Sequence, residues 1–288
     1  MIRILLSCLL FLIIAKQSAA QTFSFSKEIS FVKYLQSKEQ FTEANFVLKN
    51  IDTLNLLQSQ KDSLNYEIAW FAYTQKKLDS AILFFQKISP SDARFLKASF
   101  FAAYCLAFNR KTMESEAVLN KVNTSDSLQA ELKTFQLAGL ALLNKDYKKY
   151  QAYQSSFSFS SYVLKQEEMN FNKYQGIMSA QKRKSPVVAG LLSAVIPGSG
   201  KWYAGKKKQG IAAFLPILSS GLLTLEAYNR GGLRDARFWL YGTIFSTFYI
   251  GNIWGSAISV KIKNQEFNRM YENKILFDMH IPLRNFFN

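Results

Sequence analysis

The chain has 288 residues, of which 49% are hydrophobic and 19% charged, and its formal net charge is +16. One histidine and two cysteines exclude a histidine-rich metal site and a cysteine cage, and they leave histidine-based nucleophilic catalysis resting on His280 alone, near a C-terminus that reads as loose. Residues 181–288 carry +10 of the charge against +4 for residues 21–180. Because the basic part is also the apolar part, its lysines and arginines suit positions beside anionic headgroups, and no nucleic-acid motif accompanies them.

Residues 1–20 read as an export signal: Arg3 at the basic start, an apolar core from Ile4 to Ala15, and Ser18-Ala19-Ala20 before Gln21 as a small-residue cleavage site. Once it is removed, Cys105 is the last cysteine and stability rests on packing. From Gln21 to Gln154 Pro90 is the only proline, and apolar residues recur at helical spacing. Ile68, Ala69, Ala72 and Tyr73 make one stripe, Leu78, Ala81, Ile82 and Phe85 another, and the two helices meet at Gln75-Lys76-Lys77.

The pattern recurs. Ala44, Ala81, Ala117 and Ala152 anchor the second helix of each pair, and Val32, Ala69, Cys105 and Leu140 stand twelve residues earlier. A helix pair repeated at this interval buries its apolar face only by stacking on its neighbours, which predicts an α-solenoid over residues 21–160. Cys105 reads as a buried, inert thiol. Glu114, Glu116, Glu167 and Glu168 read as a solvated helix face, and no carboxylate pair stands out for acid-base work. At Ala69, Leu78, Ala81 and Phe85 the repeats resemble tetratricopeptide repeats, which implies a protein-binding scaffold whose concave surface takes another envelope protein or a peptide.

After the serine-rich turn Ser155–Ser161, residues 161–184 form a helical linker ending in Lys182-Arg183-Lys184. A small C-terminal helical membrane module follows over residues 185–263. Spanning the hydrocarbon core takes about 20 residues, so 209–228 and 238–262 read as transmembrane helices and 186–197 as a half-helix packed against them. Residues 264–288 read as a tail.

Between the half-helix and the first span, Pro197, Gly198, Gly200, Tyr203, Gly205 and Gly210 form a P-G-x-G-x-x-Y-x-G-(x4)-G pattern. Its glycines suit a tight backbone turn at membrane depth, Trp202 and Tyr203 suit the water-lipid interface, and Lys201, Lys206, Lys207 and Lys208 suit the phosphates of membrane lipids. The near match Gly200–Lys206 to a phosphate-binding loop lacks the hydroxyl residue and the strand context, so no cofactor is expected. In the last span, Gly251 and Gly255 are a G-x-x-x-G pair, with Asn252 placed to hydrogen-bond across a helix contact. That contact is either internal or a homodimer interface.

This region is similar to a small bacterial two-transmembrane domain of unknown function found in envelope proteins, and Tyr249–Ile262 resembles that domain's second helix. Trp254-Gly255-Ser256 departs from it, standing where the resemblance implies an acidic residue and a small one. The expectation is an all-α, non-enzymatic, membrane-anchored periplasmic scaffold of the bacterial cell envelope. Its rival is a small transport or lipid-handling unit with the repeats as a regulatory cap.

Overall fold

The computed structural model describes residues 25–287, so the expected export signal lies outside the described residues. Among them every regular element is helical, as expected for an all-α chain: thirteen α-helices and one 3-10 turn. They divide into two compact units. The first holds residues up to 140, with 153–158 and 279–287; the second holds 141–152 and 159–278.

The hairpins open with α1 (Phe25–Ser37) and α2 (Phe41–Asn50), α3 (Gln58–Thr74) and α4 (Leu78–Phe85), and α5 (Phe95–Phe108) and α6 (Thr112–Asn120). Then come α7 (Ser127–Leu143) and α8 (Tyr147–Gln154). The turn inside each pair has one geometry. Glu39, Lys76, Arg110 and Lys145 all take φ between 58° and 63°, and the N–H of the next residue reaches back to a carbonyl five residues earlier. These bonds are Gln40 to Leu35, Lys77 to Ala72, Lys111 to Leu106 and Asp146 to Ala141, at 2.8–2.9 Å, and they satisfy carbonyls that a helix end would otherwise leave open. Holding a left-handed conformation without glycine costs about 1–2 kcal/mol at each turn, a cost that helix packing must offset.

These turns fix the register of the repeat, and it departs from the expected one after the second pair. The left-handed residues stand 37, 34 and 35 apart, and five residues beyond each lies a buried one: Ala44, Ala81, Ser115 and Tyr150. Ala117 and Ala152 are exposed. Twelve residues before each buried anchor stand Val32, Ala69, Ala103 and Ala138, so the partner of Ala69 is Ala103 rather than Cys105, and Ala138 replaces Leu140. The physical reason lies in the anchors. Ser115 is buried because its hydroxyl donates to the Ala103 carbonyl at 2.7 Å. Tyr150 is buried because its hydroxyl donates to Asn172 at 2.6 Å. Polar atoms with partners can occupy sites that a size-and-polarity pattern reserves for alanine.

The first unit's packing starts from Ile29, Val32, Leu35, Ala44, Leu48, Ile51, Leu64 and Phe71. Burying side chains of the Val, Leu, Ile and Phe class is worth about 1.5–3 kcal/mol each. Cys105 is fully buried, and burial pushes its thiol up to about 12, which keeps it protonated and inert.

In the second unit α9 (Lys165–Ala180) precedes α10 (Pro186–Val195), α11 (Ser199–Tyr203), α12 (Lys207–Gly231), the 3-10 turn Gly232–Arg234 and α13 (Ala236–Phe286). The last helix has 51 residues and continues through the segment expected to be a loose tail. Its cause is an apolar stripe at i, i+4 spacing: Tyr271, Ile275, Met279 and Leu283 are all buried. Residues from Met279 onward belong to the first unit. There Gln136 donates to the Met279 carbonyl at 2.7 Å, Lys97 to the Phe287 carbonyl at 2.8 Å, and the Phe287 ring lies 5.7 Å from that of Phe100.

Glu167 and Glu168 are buried rather than solvated. Glu168 accepts the Phe159 N–H at 3.0 Å, where the backbone again turns through positive φ. Burial raises the Glu167 and Asp278 carboxyls above the usual carboxylate range, and at Asp278 the neighbouring Tyr174 and Asn170 side chains and the Lys274 charge act against that rise.

Candidate functional site

The glycine pattern forms a compact knot between α10 and α12. Ser185 caps α10, accepting the Val188 N–H at 3.4 Å with Pro186 at the first helical position, where its missing N–H is of no consequence. Val195 ends α10, and Gly198 reverses the chain at φ 84° to start the five-residue helix α11. Gly205 makes a second left-handed turn at φ 83° before α12.

Three of the glycines are there for close approach. A Cβ on Gly198 would lie 2.3 Å from the Gly210 carbonyl oxygen, and one on Gly200 would lie 2.0 Å from the Ala189 carbonyl oxygen. One on Gly210 would lie 2.0 Å from the indole of Trp202. Backbone therefore packs directly on backbone, and the Trp202 ring sits over a glycine.

Beneath the turn lies a buried polar network. The Gly198 N–H donates to Asn252 Oδ1 at 3.2 Å, and Asn252 Nδ2 donates to the Ser193 carbonyl at 3.3 Å. The Gly200 N–H donates to Ser193 Oγ at 3.0 Å, and that hydroxyl donates to Ser256 Oγ at 2.7 Å. Tyr249 donates to the Ala194 carbonyl. Ser193, Asn252 and Ser256 are all buried, so each would be costly to leave unpaired. On the outer side Tyr203 stacks under Lys184, whose ammonium lies 5.0 Å from the ring centre and also donates to the Tyr203 carbonyl. Lys263 donates to the Ala204 carbonyl at 2.9 Å and lies where a Gly205 side chain would begin.

The structure thus brings Pro197, Gly198, Gly200, Gly210 and Asn252 together. It does not do so for the G-x-x-x-G pair. Gly251 has nothing within 4 Å of where its Cβ would stand, and Gly255 meets only the Lys201 side chain at 3.9 Å. The packed face of α13 is one residue round the helix, at Asn252, Ser256, Ser259 and Val260. Ser193 and Ser256 escape the sequence reading; the available signal is a serine at i+4 from Asn252 and a serine inside the apolar half-helix.

Above the network an apolar cleft of about 370 Å³ is lined by Ile196, Pro197, Gly198, Ser199, Trp202, Gly210, Ile211 and Phe214. Lys207 and Lys208, both exposed, begin the helix that forms one of its walls.

His280 is half-buried between α13 and the hairpin residues Tyr73 and Tyr104. Its ring stacks on Tyr104 at 4.8 Å and its Nε2 meets the Tyr73 hydroxyl, and burial together with the Arg284 charge holds it below the ordinary histidine range. No group of three His, Cys, Asp or Glu side chains among the described residues is arranged to hold a metal ion. Compared with known proteins, the chain matches no family model, no curated protein and no solved structure.

Proposed function

We propose that the chain is a non-enzymatic scaffold anchored in a membrane of the bacterial cell envelope, with its helical hairpins stacked as an α-solenoid that binds another envelope protein. The observation that carries the anchoring is a belt of large apolar side chains left exposed. On α12 these are Leu215, Leu218, Leu222, Leu223 and Leu225; on α13 they include Trp239, Leu240, Ile244, Phe248 and Ile250. Exposed apolar area on this scale marks a membrane or partner surface.

Among the described residues one stretch, Lys207–Arg234, is long and apolar enough to cross a bilayer, and most of its residues are not buried. A second span over 238–262 is supported by length and by how its hydroxyls are satisfied. Thr243, Thr247 and Ser259 each donate to a carbonyl four residues back, at 2.7–2.8 Å, so they present no open donor to lipid. Recurrence of one turn geometry at 37, 34 and 35 residues supports the stacked scaffold.

Carbonate and high-salt washing of membranes tests the anchoring, and release of the chain refutes it. Pull-down of the tagged protein from native membranes, with mass spectrometry, tests the scaffold. One stoichiometric protein partner supports it. Enrichment of lipid without a protein partner favours the second reading, a lipid-handling unit, for which the apolar cleft beside Lys207 and Lys208 is the specific observation.

A further inference from the structure

We propose that the cleft at the glycine knot is a binding site for an anionic phospholipid, with one acyl chain held against Ile196, Pro197, Ile211 and Phe214 and the phosphate held by Lys207 and Lys208. The site rests on the membrane anchoring argued above and goes beyond it by assigning a particular lipid class to a particular place.

Shape comes first. The cleft's volume of about 370 Å³ falls in the range of small-molecule sites, and its walls are almost wholly apolar. The walls are also pre-formed. Gly210 leaves room for the Trp202 indole, Gly198 lets the turn lie directly on α12, and the network of Asn252, Ser193 and Ser256 fixes the turn from below. Ile196, Trp202 and Ile211 are each more than half exposed, so the cleft is open to a chain entering from outside.

Charge selects the headgroup. Residues 169–225 contain no aspartate or glutamate, while this stretch holds Lys201, Lys206, Lys207 and Lys208 within eight positions. No ion pair ties any of these four lysines among the described residues. A cluster of unneutralised cations attracts anionic lipid. Depth matches as well. Lys207, Ile211 and Phe214 lie on one face of α12, and the helical rise puts Phe214 about 10 Å beyond Lys207. A lipid with its phosphate at Lys207 therefore runs its chain past Ile211 and Phe214, in the direction in which the candidate span continues.

Trp202 makes the test direct, because bromine atoms on an acyl chain quench an indole in contact with them. The full chain is reconstituted in phosphatidylcholine vesicles containing a small fraction of dibrominated phosphatidylglycerol or, separately, dibrominated phosphatidylcholine. The expected result is several-fold stronger quenching by the brominated phosphatidylglycerol at equal low fraction. The difference should disappear in Trp202→Phe, which assigns it to this site, and should fall at least threefold in Lys207→Gln/Lys208→Gln and in Ile211→Phe. Equal quenching by the two lipids in vesicle-bound protein, or a preference that survives the lysine substitutions, overturns the site and leaves the anchoring intact. A chain that does not float with the vesicles overturns the anchoring and the site together.

Discussion

Replacing Gly200 by alanine tests the knot against the alternative that the glycines form a flexible connector. The new methyl would begin 2.0 Å from the Ala189 carbonyl oxygen and 2.6 Å from Ser193 Oγ, and the first of these neighbours is backbone. Ordinary carbon-oxygen contacts are about 3.3 Å or longer, so α10 and α11 must part by about 1.3 Å. That movement stretches the 3.0 Å bond from the Gly200 N–H to Ser193. Overpacking costs about 1–3 kcal/mol, an unpaired buried donor a similar amount, and alanine's helix preference returns up to about 1 kcal/mol. The net loss is on the order of 1–6 kcal/mol. Gly251→Ala is the control, since its methyl enters open space and its helix preference makes it neutral or stabilising by up to about 1 kcal/mol. In detergent-solubilised protein, thermal unfolding followed by protease resistance should place the two variants roughly 5–15 °C apart, with Gly200→Ala the lower. If Gly200→Ala melts with the parent, or if both variants fall together, the close-packed turn is refuted.

Met279→Ala should destabilise the hairpin unit by about 2–5 kcal/mol, because Met279 is buried and fills the space over Gly139, whereas Phe277→Ala, at an exposed position, should stay within about 0.5 kcal/mol. Near-ultraviolet circular dichroism during chemical unfolding measures both, and equal effects would mean that the C-terminal residues are a tail after all. For His280 the folded pKa lies below the ordinary value of 6.5 because burial and Arg284 disfavour the charged ring. The unfolded chain therefore takes up the proton first, so this contribution to stability is complete above 6.5 and is lost as pH falls through the folded value. Comparing denaturation midpoints at about pH 7.5 and about pH 5.5, the parent should lose more stability on acidification than His280→Gln; an identical loss removes His280 as the titrating group.

Repeat legibility stopped where polarity misleads. The second pair is placed correctly in the sequence, with its turn at Gln75-Lys76-Lys77 and Ala69 and Ala81 fully buried, because small apolar residues occupy both crossing positions. In the third and fourth pairs the second-helix positions are held by Ser115 and Tyr150, residues that burial statistics send elsewhere. What makes them buried is a hydrogen bond to Ala103 in one case and to Asn172 in the other, and a partner more than ten residues away leaves no trace in local periodicity. The left-handed geometry of the turns is silent even where a turn's place is legible, since none of Glu39, Lys76, Arg110 and Lys145 is a glycine that would advertise a positive φ. The tail fails for a related reason. The buried stripe of Tyr271, Ile275, Met279 and Leu283 is plain once seen, but His280, Pro282 and the aromatic end read as a loose terminus when no partner surface is in view.

At the knot the legibility is divided: the glycines of the loop pattern make close contacts within the chain, whereas Gly251 and Gly255 of the last helix make none. Gly198, Gly200 and Gly210 are constrained by backbone on backbone or by an indole, and that constraint acts at each position separately, so it survives in a one-dimensional pattern. A G-x-x-x-G pair states only that two small residues share a helix face, and α13 turns a neighbouring face inward because Asn252 and Ser256 have polar partners there. In an apolar surround the hydrogen bonds choose the face, since turning Asn252 outward would strand the Gly198 N–H and the Ser193 carbonyl at once. The same preference accounts for the cleft. With the polar atoms of the turn committed to α13 at Asn252 and to α10 and its C-terminal end at Ser193, Leu192 and Ile196, the cleft is left to the apolar sides of Ile196, Pro197, Trp202, Ile211 and Phe214, and the lysines that follow Gly205 have no counter-charge among the described residues.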